Sequence, residues 1–374
     1  MRTFNVLLLV VLCAVLSLLG GLAVVDPEIP LVSKVGGLAL WLMLIASGVP
    51  HTFSRVTFES MIPVQEPGEA HGVASWDLAF AMNETDPLLT AFRLFVPLNS
   101  TEAMNVIVFI HGGGYFLVHA DDVSQDSFAR DLAKATHSIV LSLEYRLAPE
   151  HPFPASLEDA RRFLSFAVDL TKPAPFLCRR ELRQCADDLA RADRRTLLRT
   201  QHPLTLNVKR DWFAQIGSSA GANLVLGATL GKKDAAPGAL RIAHTELMAP
   251  YLGVTEAEVR TRRDWILHEE LLLFAAKVVG IHLKEDFMDP VANNADVGNF
   301  ASVRISAGRK EIGLAAMQRL CAHFVQHETP CEMALYDAVH GFIAMGKLGG
   351  HTAYQARLDT FETINARFRQ VRKL

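Results

Sequence analysis

Apolar residues along this chain gather in two kinds of run. Short runs bounded by turn residues read as buried strands over Ala91–Val96, Asn105–Ile110, Ser138–Tyr145, Trp212–Gly217, Ile242–Ala249, Val303–Ala307 and Glu332–Tyr336. Between them, apolar positions recur at helical spacing over Val123–Ala135, Ala155–Leu170, Ala222–Gly231, Glu311–His327 and Ala353–Gln370. Pro152 and Pro154 punctuate the start of the second of these helices. Strands that alternate with helices predict an α/β fold with a mostly parallel central sheet and helices on both faces. Residues 55–89 are mixed and poorly periodic, and read as an arm or part of a lid. No internal repeat or low-complexity segment interrupts the body, which spans 55–374 as one domain.

The N-terminus follows a different pattern. Phe4–Val25 carries no charge and is long enough to span a bilayer. A second uncharged stretch, Val35–Phe53, follows the polar link Asp26–Lys34. Three arrangements fit. A signal-anchor helix over 4–25 is favoured. A cleaved signal peptide would use the small residues around Gly21-Leu22-Ala23. A hairpin would add a second span over 35–50. Arg2 ahead of the first run favours a cytosolic N-terminus. A single span then puts the body in the lumen or outside, whereas a hairpin keeps it in the cytosol. The favoured reading is an anchor over 1–54, held in the endoplasmic reticulum as a single pass with a lumenal body.

Charge narrows the partners. The formal net charge of −3 over 374 residues, with no basic face or tail, argues against a nucleic-acid partner. The densest basic segment is a helical-looking insert over 173–211, with Arg179, Arg180, Arg183, Arg191, Arg194, Arg195 and Arg199. It reads as a solvated helix paired locally with Asp187 and Asp188, or as a membrane-surface contact. Because it follows a helix and precedes a strand, it is expected away from the strands' carboxyl ends, where sites in such sheets lie. Cys178 and Cys185 lie about two turns apart on that helix, too far for a bridge within an intact helix. Cys321 and Cys331 bracket a helix end, Cys13 sits in the apolar run, and no pattern resembles a zinc site. Asn83-Glu84-Thr85 and Asn99-Ser100-Thr101 are glycosylation sequons.

Two glycine-rich signatures carry the candidate chemistry. Gly217-Ser218-Ser219-Ala220-Gly221 follows the strand Trp212–Gly217 and opens the next helix. Such a turn sets a serine hydroxyl at the helix head, and the N–H of Ala220 toward a reacting carbonyl. His111-Gly112-Gly113-Gly114 follows the strand ending at Ile110. Its glycines let the N–H groups of Gly113 and Gly114 approach a developing oxyanion. The bland alternative for each is a small-residue turn. A serine nucleophile needs a base, and of fourteen histidines His340 has the context, on a loop after the last strand. Glu311, just after the penultimate strand, is the best-placed carboxylate to orient it. Asp337 and Asp289 are the other candidates, and a carboxylate that merely suits a helix N-terminus is the bland reading.

Taken together, these motifs resemble the hormone-sensitive-lipase-like group of α/β-hydrolase esterases. The resemblance rests on His111-Gly112-Gly113-Gly114, Tyr145-Arg146-Leu147-Ala148-Pro149-Glu150-His151-Pro152-Phe153-Pro154-Ala155, Gly217-Ser218-Ser219-Ala220-Gly221-Ala222-Asn223-Leu224, Asp289-Pro290 and His340-Gly341-Phe342, in family order over about two-thirds of the chain. The membrane-anchored form is similar to arylacetamide deacetylases and fungal steryl acetyl hydrolases. Two positions depart from the family pattern. Ser218 stands where the family has aspartate, and Glu311-Ile312 stands where it has aspartate and proline.

The resemblance implies a cap built from about 53–89 and 251–299, and a serine carboxylic ester hydrolase. Its catalytic residues would be Ser219, Glu311 and His340, and its oxyanion hole Gly113, Gly114 and Ala220. It implies no metal or cofactor. The expected substrate is a small lipophilic ester, a short-acyl ester of a sterol or other lipophilic alcohol. A non-catalytic receptor on the same fold would typically lack the histidine that His340 supplies. Acyl transfer to an alcohol stays open at this stage.

Overall fold

Among the described residues six parallel strands fill the middle of the sheet, and three of them, Met104–Ile110, Ser138–Glu144 and Val303–Gly308, are buried along their whole length. A computed structural model describes residues 63–168 except 84 and 99, 175–178, 182–192, 206–230, 241–252, 288, 290–345 except 312, and 350–373. The strands are β1 Glu69–Ala70, β2 Val73–Phe80, β3 Thr90–Pro97, β4 Met104–Ile110, β5 Ser138–Glu144, β6 Phe176–Leu177, β7 Val208–Ser218, β8 Arg241–Met248, β9 Val303–Gly308 and β10 Cys331–Tyr336. The helices are α1 Val123–Thr136, α2 Ala155–Val168, α3 Leu182–Ala190, α4 Ala220–Thr229, α5 Leu314–Gln326, α6 Phe342–Met345 and α7 Gly350–Val371.

Strand order is β1-β2-β3-β5-β4-β7-β8-β9-β10, with β6 added to β2. From β5 to β10 all neighbours are parallel, while β1, β2, β3 and β6 pair antiparallel. One face packs on α2, α4 and α5 through residues such as Phe80, Phe92, Phe163, Leu224 and Leu320. The other packs on α1 and α7 through Phe109, Phe128, Ile216, Phe361 and Ile364. Because both faces are covered, the central strands read as mostly apolar runs.

Three expectations need correction. The segment expected as arm or lid over 53–89 is, from Glu69 on, part of the sheet itself. Its β2 hid from the hydrophobic pattern because its α1-side face is polar yet buried, at Ser75 and Asp77. Asp77 accepts Nε and Nη2 of the Arg93 guanidinium, at 2.6 and 2.8 Å, and Asp126 of α1 accepts Nη1 at 3.1 Å. Paired in this way, the charges can be buried. Residues 53–62 lie outside the described residues, as do 253–287 and Asp289 of the second cap piece.

The insert is the second correction. After α2 the chain adds β6 to the outer edge of β2, and α3 then folds round that edge. Leu182, Cys185 and Leu189 pack on Ala79, Ala81, Leu89, Ala91 and Ala120. Ala120 belongs to the loop beyond the carboxyl end of β4, so α3 reaches the end of the sheet that chain order alone argued against. Arg183 pairs with Asp121 at 2.9 Å and Asp122 at 2.6 Å.

The third correction concerns cysteine. Cys178 and Cys185 are bonded, with Cα atoms 5.4 Å apart. One helix through both residues would hold them apart, but Cys178 follows β6 and the described helix begins only at Leu182. Cys321 and Cys331 are bonded as well, closing the connection from α5 to β10. Among the described residues no helix is long and apolar enough to cross a membrane. The stretches 4–25 and 35–50 lie outside them.

Candidate active site

The turn between β7 and α4 forces Ser219 into φ 52°, ψ −119°, a region that costs a non-glycine residue about 1–3 kcal/mol. Glycines on either side make the turn feasible. A Cβ at Gly217 would collide with the backbone of Gly221 and Ala222, and one at Gly221 with the carbonyl oxygens of Ile110 and His111. The Ser219 N–H is tied to Met248 O at 2.8 Å, which fixes the turn to the end of β8. The serine hydroxyl thus stands at the carboxyl end of the sheet, partly exposed and ahead of a helix N-terminus.

His340 and Glu311 come from two loops knitted together. Arg309 N donates to Tyr336 O at 2.7 Å and Lys310 N to Ala338 O at 3.3 Å. Ser219 Oγ lies 2.8 Å from His340 Nε2, and His340 Nδ1 lies 2.9 Å from Glu311 Oε2. The other carboxylate oxygen of Glu311 accepts the N–H of Gly308 at 3.1 Å. Glu311 is 1% exposed and His340 6%, so the pair is shielded from water. Glu311 sits in the turn ahead of α5, which begins at Leu314, so it does more than face a helix end. Asp337 is exposed, and Asp289 lies outside the described residues.

The glycine loop lies beside this line. Gly112 packs against Ser218 and Ser219 so closely that a Cβ there would sit 3.1 Å from Ser219 Cβ. Gly113 has φ 107° and Gly114 φ 63°, and the carbonyl of Gly113 accepts Leu117 N at 2.9 Å. The structure therefore brings Gly113, Gly114 and Ala220 to the same end of the sheet as Ser219. Preorganised donors of this kind stabilise charge that develops on a carbonyl oxygen.

Tyr145 lies in one of the sequence motifs, with no role legible from the pattern alone. Its hydroxyl donates to Gly112 O at 2.9 Å, and its ring stacks on His111 with centroids 4.3 Å apart. Burial pulls His111 down to about 4, so it stays neutral at physiological pH. Burial likewise pushes the Tyr145 and Tyr115 hydroxyls well above their usual range, keeping both as donors. Asn223 of α4 gave no signal beyond its place in the motif. Its side-chain N–H donates to Tyr251 O and to Met288 Sδ, residues on either side of 253–287.

A nucleophile turn at the head of a parallel sheet, with a serine, a histidine and a carboxylate in line, defines the α/β-hydrolase class. The chain belongs to that family: the family described as alpha/beta hydrolase fold matches residues 107–344. It is similar to 2-hydroxyisoflavanone dehydratase from Glycyrrhiza echinata, 34% identical over 110 residues, which is 29% of this chain and 32% of that protein. A 3-O-acetylpapaveroxine carboxylesterase from Papaver somniferum is 34% identical over 86 residues, 21% of this chain and 27% of that one. The chain thus spans about a third or less of the length of the curated relatives it matches. Among solved structures, a Pyrobaculum calidifontis esterase superposes with TM-score 0.62 at 17% identity, covering 88% of this chain and 97% of that one. A bacterial heroin esterase superposes with TM-score 0.66 at 18% identity, covering 93% and 99%.

Proposed function

We propose that this chain is a serine carboxylesterase. The observation that carries the reading is the unbroken line from Ser219 Oγ through the His340 imidazole to the Glu311 carboxylate. His340 Nε2 takes the serine proton as Oγ attacks the ester carbonyl. Glu311 holds Nδ1–H and stabilises the imidazolium that forms. The N–H groups of Gly113, Gly114 and Ala220 receive the oxyanion. His340 then protonates the leaving alcohol and activates the water that frees the acid from the acyl-enzyme.

The substrate reading is a short-acyl ester of a lipophilic alcohol, with sterol and other lipid acetates as candidates. It draws support from the sequence resemblance and from the relative in Papaver somniferum whose name gives 3-O-acetylpapaveroxine as its substrate. The full chain is expected to hydrolyse aryl acetate and butyrate faster than the decanoate, and a fluorophosphonate is expected to label Ser219 once per chain. A folded sample that neither turns over these esters nor takes the label would overturn the reading.

We also place the body on the lumenal side of the membrane, anchored by the apolar N-terminus. Two disulfides favour an oxidising compartment. Asn83 is exposed on a turn after β2, with Thr85 N and Oγ1 donating to its Oδ1 at 2.9 and 2.8 Å. The chain expressed in eukaryotic cells should sediment with membranes and shift in gel mobility after deglycosylation, with a smaller shift in Asn83→Gln. A membrane-bound chain with no glycan and reduced cysteines would place the body in the cytosol.

A further inference from the structure

Behind the glycine loop lies a buried knot of carboxylates that the reaction does not use. Asp121, Asp122 and Glu144 are 1%, 2% and 9% exposed. Glu144, the last residue of β5, reaches His119 Nδ1 at 2.5 Å and accepts Ala120 N at 2.8 Å. Asp122 Oδ2 accepts His119 N at 2.9 Å. These carboxylates grip residues 119–122, the return leg of the loop that presents Gly113 and Gly114. The loop needs holding, because Gly113, Gly114, Tyr115 and Val118 all have positive φ. Such backbone persists only where its surroundings over-determine it. Tyr145 and the Ala148 N–H, which donates to Tyr115 O at 3.0 Å, hold the front of the loop.

The cation for the knot comes from the insert. Arg183 Nε meets Asp121 at 2.9 Å and Nη2 meets Asp122 at 2.6 Å, a fork set across two neighbouring carboxylates. The helix carrying it is fastened twice, by Leu182 and Leu189 on the sheet edge and by the Cys178–Cys185 bond. We infer that Arg183 is a positioning residue for the oxyanion loop, a brace supplied by the disulfide-fastened insert. The inference rests on the esterase reading above.

Electrostatics give the brace a pH signature. Asp121 faces Glu144 from β5, His119 from its own loop, Arg183 from α3 and Arg93 from β3. Burial, then Glu144, push its carboxyl up to about 6 even with Arg183 present. Without Arg183 the carboxylates at 121 and 122 repel Glu144 and seek water, and the return leg relaxes. Protonation removes that repulsion. The deficit of an Arg183 variant relative to wild type should therefore shrink as pH falls.

The test compares the full-length wild type with Arg183→Ala, Arg183→Lys and the double variant Cys178→Ser/Cys185→Ser. Rates on an aryl acetate are normalised to serines titrated by fluorophosphonate, so a poorly folded fraction does not count. Arg183→Ala should lose about tenfold to 100-fold in kcat per titrated site, since small misplacements of oxyanion donors cost this much. KM should change by less than about threefold, and affinity for a trifluoromethyl ketone should fall in step with kcat/KM. The deficit should be smaller at about pH 6 than at about pH 8. Arg183→Lys, which keeps the charge but loses the fork, should recover part of the rate. The double cysteine variant should fall between it and wild type.

Wild-type kcat per site in Arg183→Ala would overturn the brace. If that variant does not fold, wild-type kcat in both Arg183→Lys and the cysteine variant would overturn it. A wild type that neither hydrolyses nor takes the label overturns the esterase reading and this inference with it, whereas an active wild type matched by its variants overturns this inference alone.

Discussion

Ser219→Ala is expected to lower kcat for an aryl acetate by about 10⁴-fold or more, with little change in stability. The substitution removes one oxygen and leaves the Cβ that already occupies the strained turn. The tie from the Ser219 N–H to Met248 O, and the close packing of Gly217 and Gly221, are backbone features that an alanine keeps. What is lost is the atom 2.8 Å from His340 Nε2, and with it the acyl-enzyme. The donors of the glycine loop remain, so turnover should stay measurably above the uncatalysed rate. The check is steady-state hydrolysis beside a thermal melt. Substantial turnover in a folded variant would assign the attack to another group, with neighbouring Ser218 the first to test.

Glu311→Gln is expected to cost about 10³- to 10⁴-fold in kcat with KM nearly unchanged. The carboxylate does two things at once. One oxygen receives His340 Nδ1–H and the other is fixed by the N–H of Gly308. An amide of the same shape keeps the packing but no longer compensates the imidazolium, and it can present a donor where His340 needs an acceptor. Glu311→Asp is a finer probe. A chain one methylene shorter cannot span both Gly308 N and His340 Nδ1 from the same backbone position, so it should retain a fraction of the activity between glutamine and wild type. If Glu311→Gln keeps kcat within about tenfold, the orienting acid lies elsewhere. Asp289 would then be the next to replace, since exposed Asp337 lacks the shielding that Glu311 has.

Much of this was legible in the chain because the strongest signals are local. Parallel strands covered on both faces carry apolar residues on both sides, so β4, β5, β7, β8 and β9 stood out as apolar runs even with buried polar residues such as Gln215 and His244 among them. Ser219 announced itself because a sharp strand-to-helix turn excludes side chains at its flanking positions. That exclusion is visible in sequence as Gly217 and Gly221. Glu311 and His340 were found by topology, as the loops after two successive parallel strands must emerge at the same end of the sheet.

Where the sequence misled, the deciding contact joined distant segments. Val73–Phe80 looked irregular because Asp77 and Ser75 point inward, and only the approach of Arg93 and Arg130 from other elements explains how they are buried. Cys178 and Cys185 looked unable to meet because one helix was assumed through both. The insert was assigned to the wrong end of the sheet because chain order says where a segment leaves and returns, and nothing of how far it travels between.

The sequence by itself therefore determined the α/β class from its alternating strand and helix runs, and the Ser219 turn and the glycine loop from a few consecutive residues whose backbone demands are specific, and it singled out His340 by its place after the last strand. Only the tertiary structure decided that Glu311 takes the His340 ring, that Tyr145 and Glu144 hold the glycine loop, and that Arg183 arrives from α3 to meet Asp121 and Asp122. The physical reason is that ion pairs and buried hydrogen bonds depend on side-chain distances of about 3 Å across the fold, and local pattern carries no record of which distant partner will satisfy a buried charge.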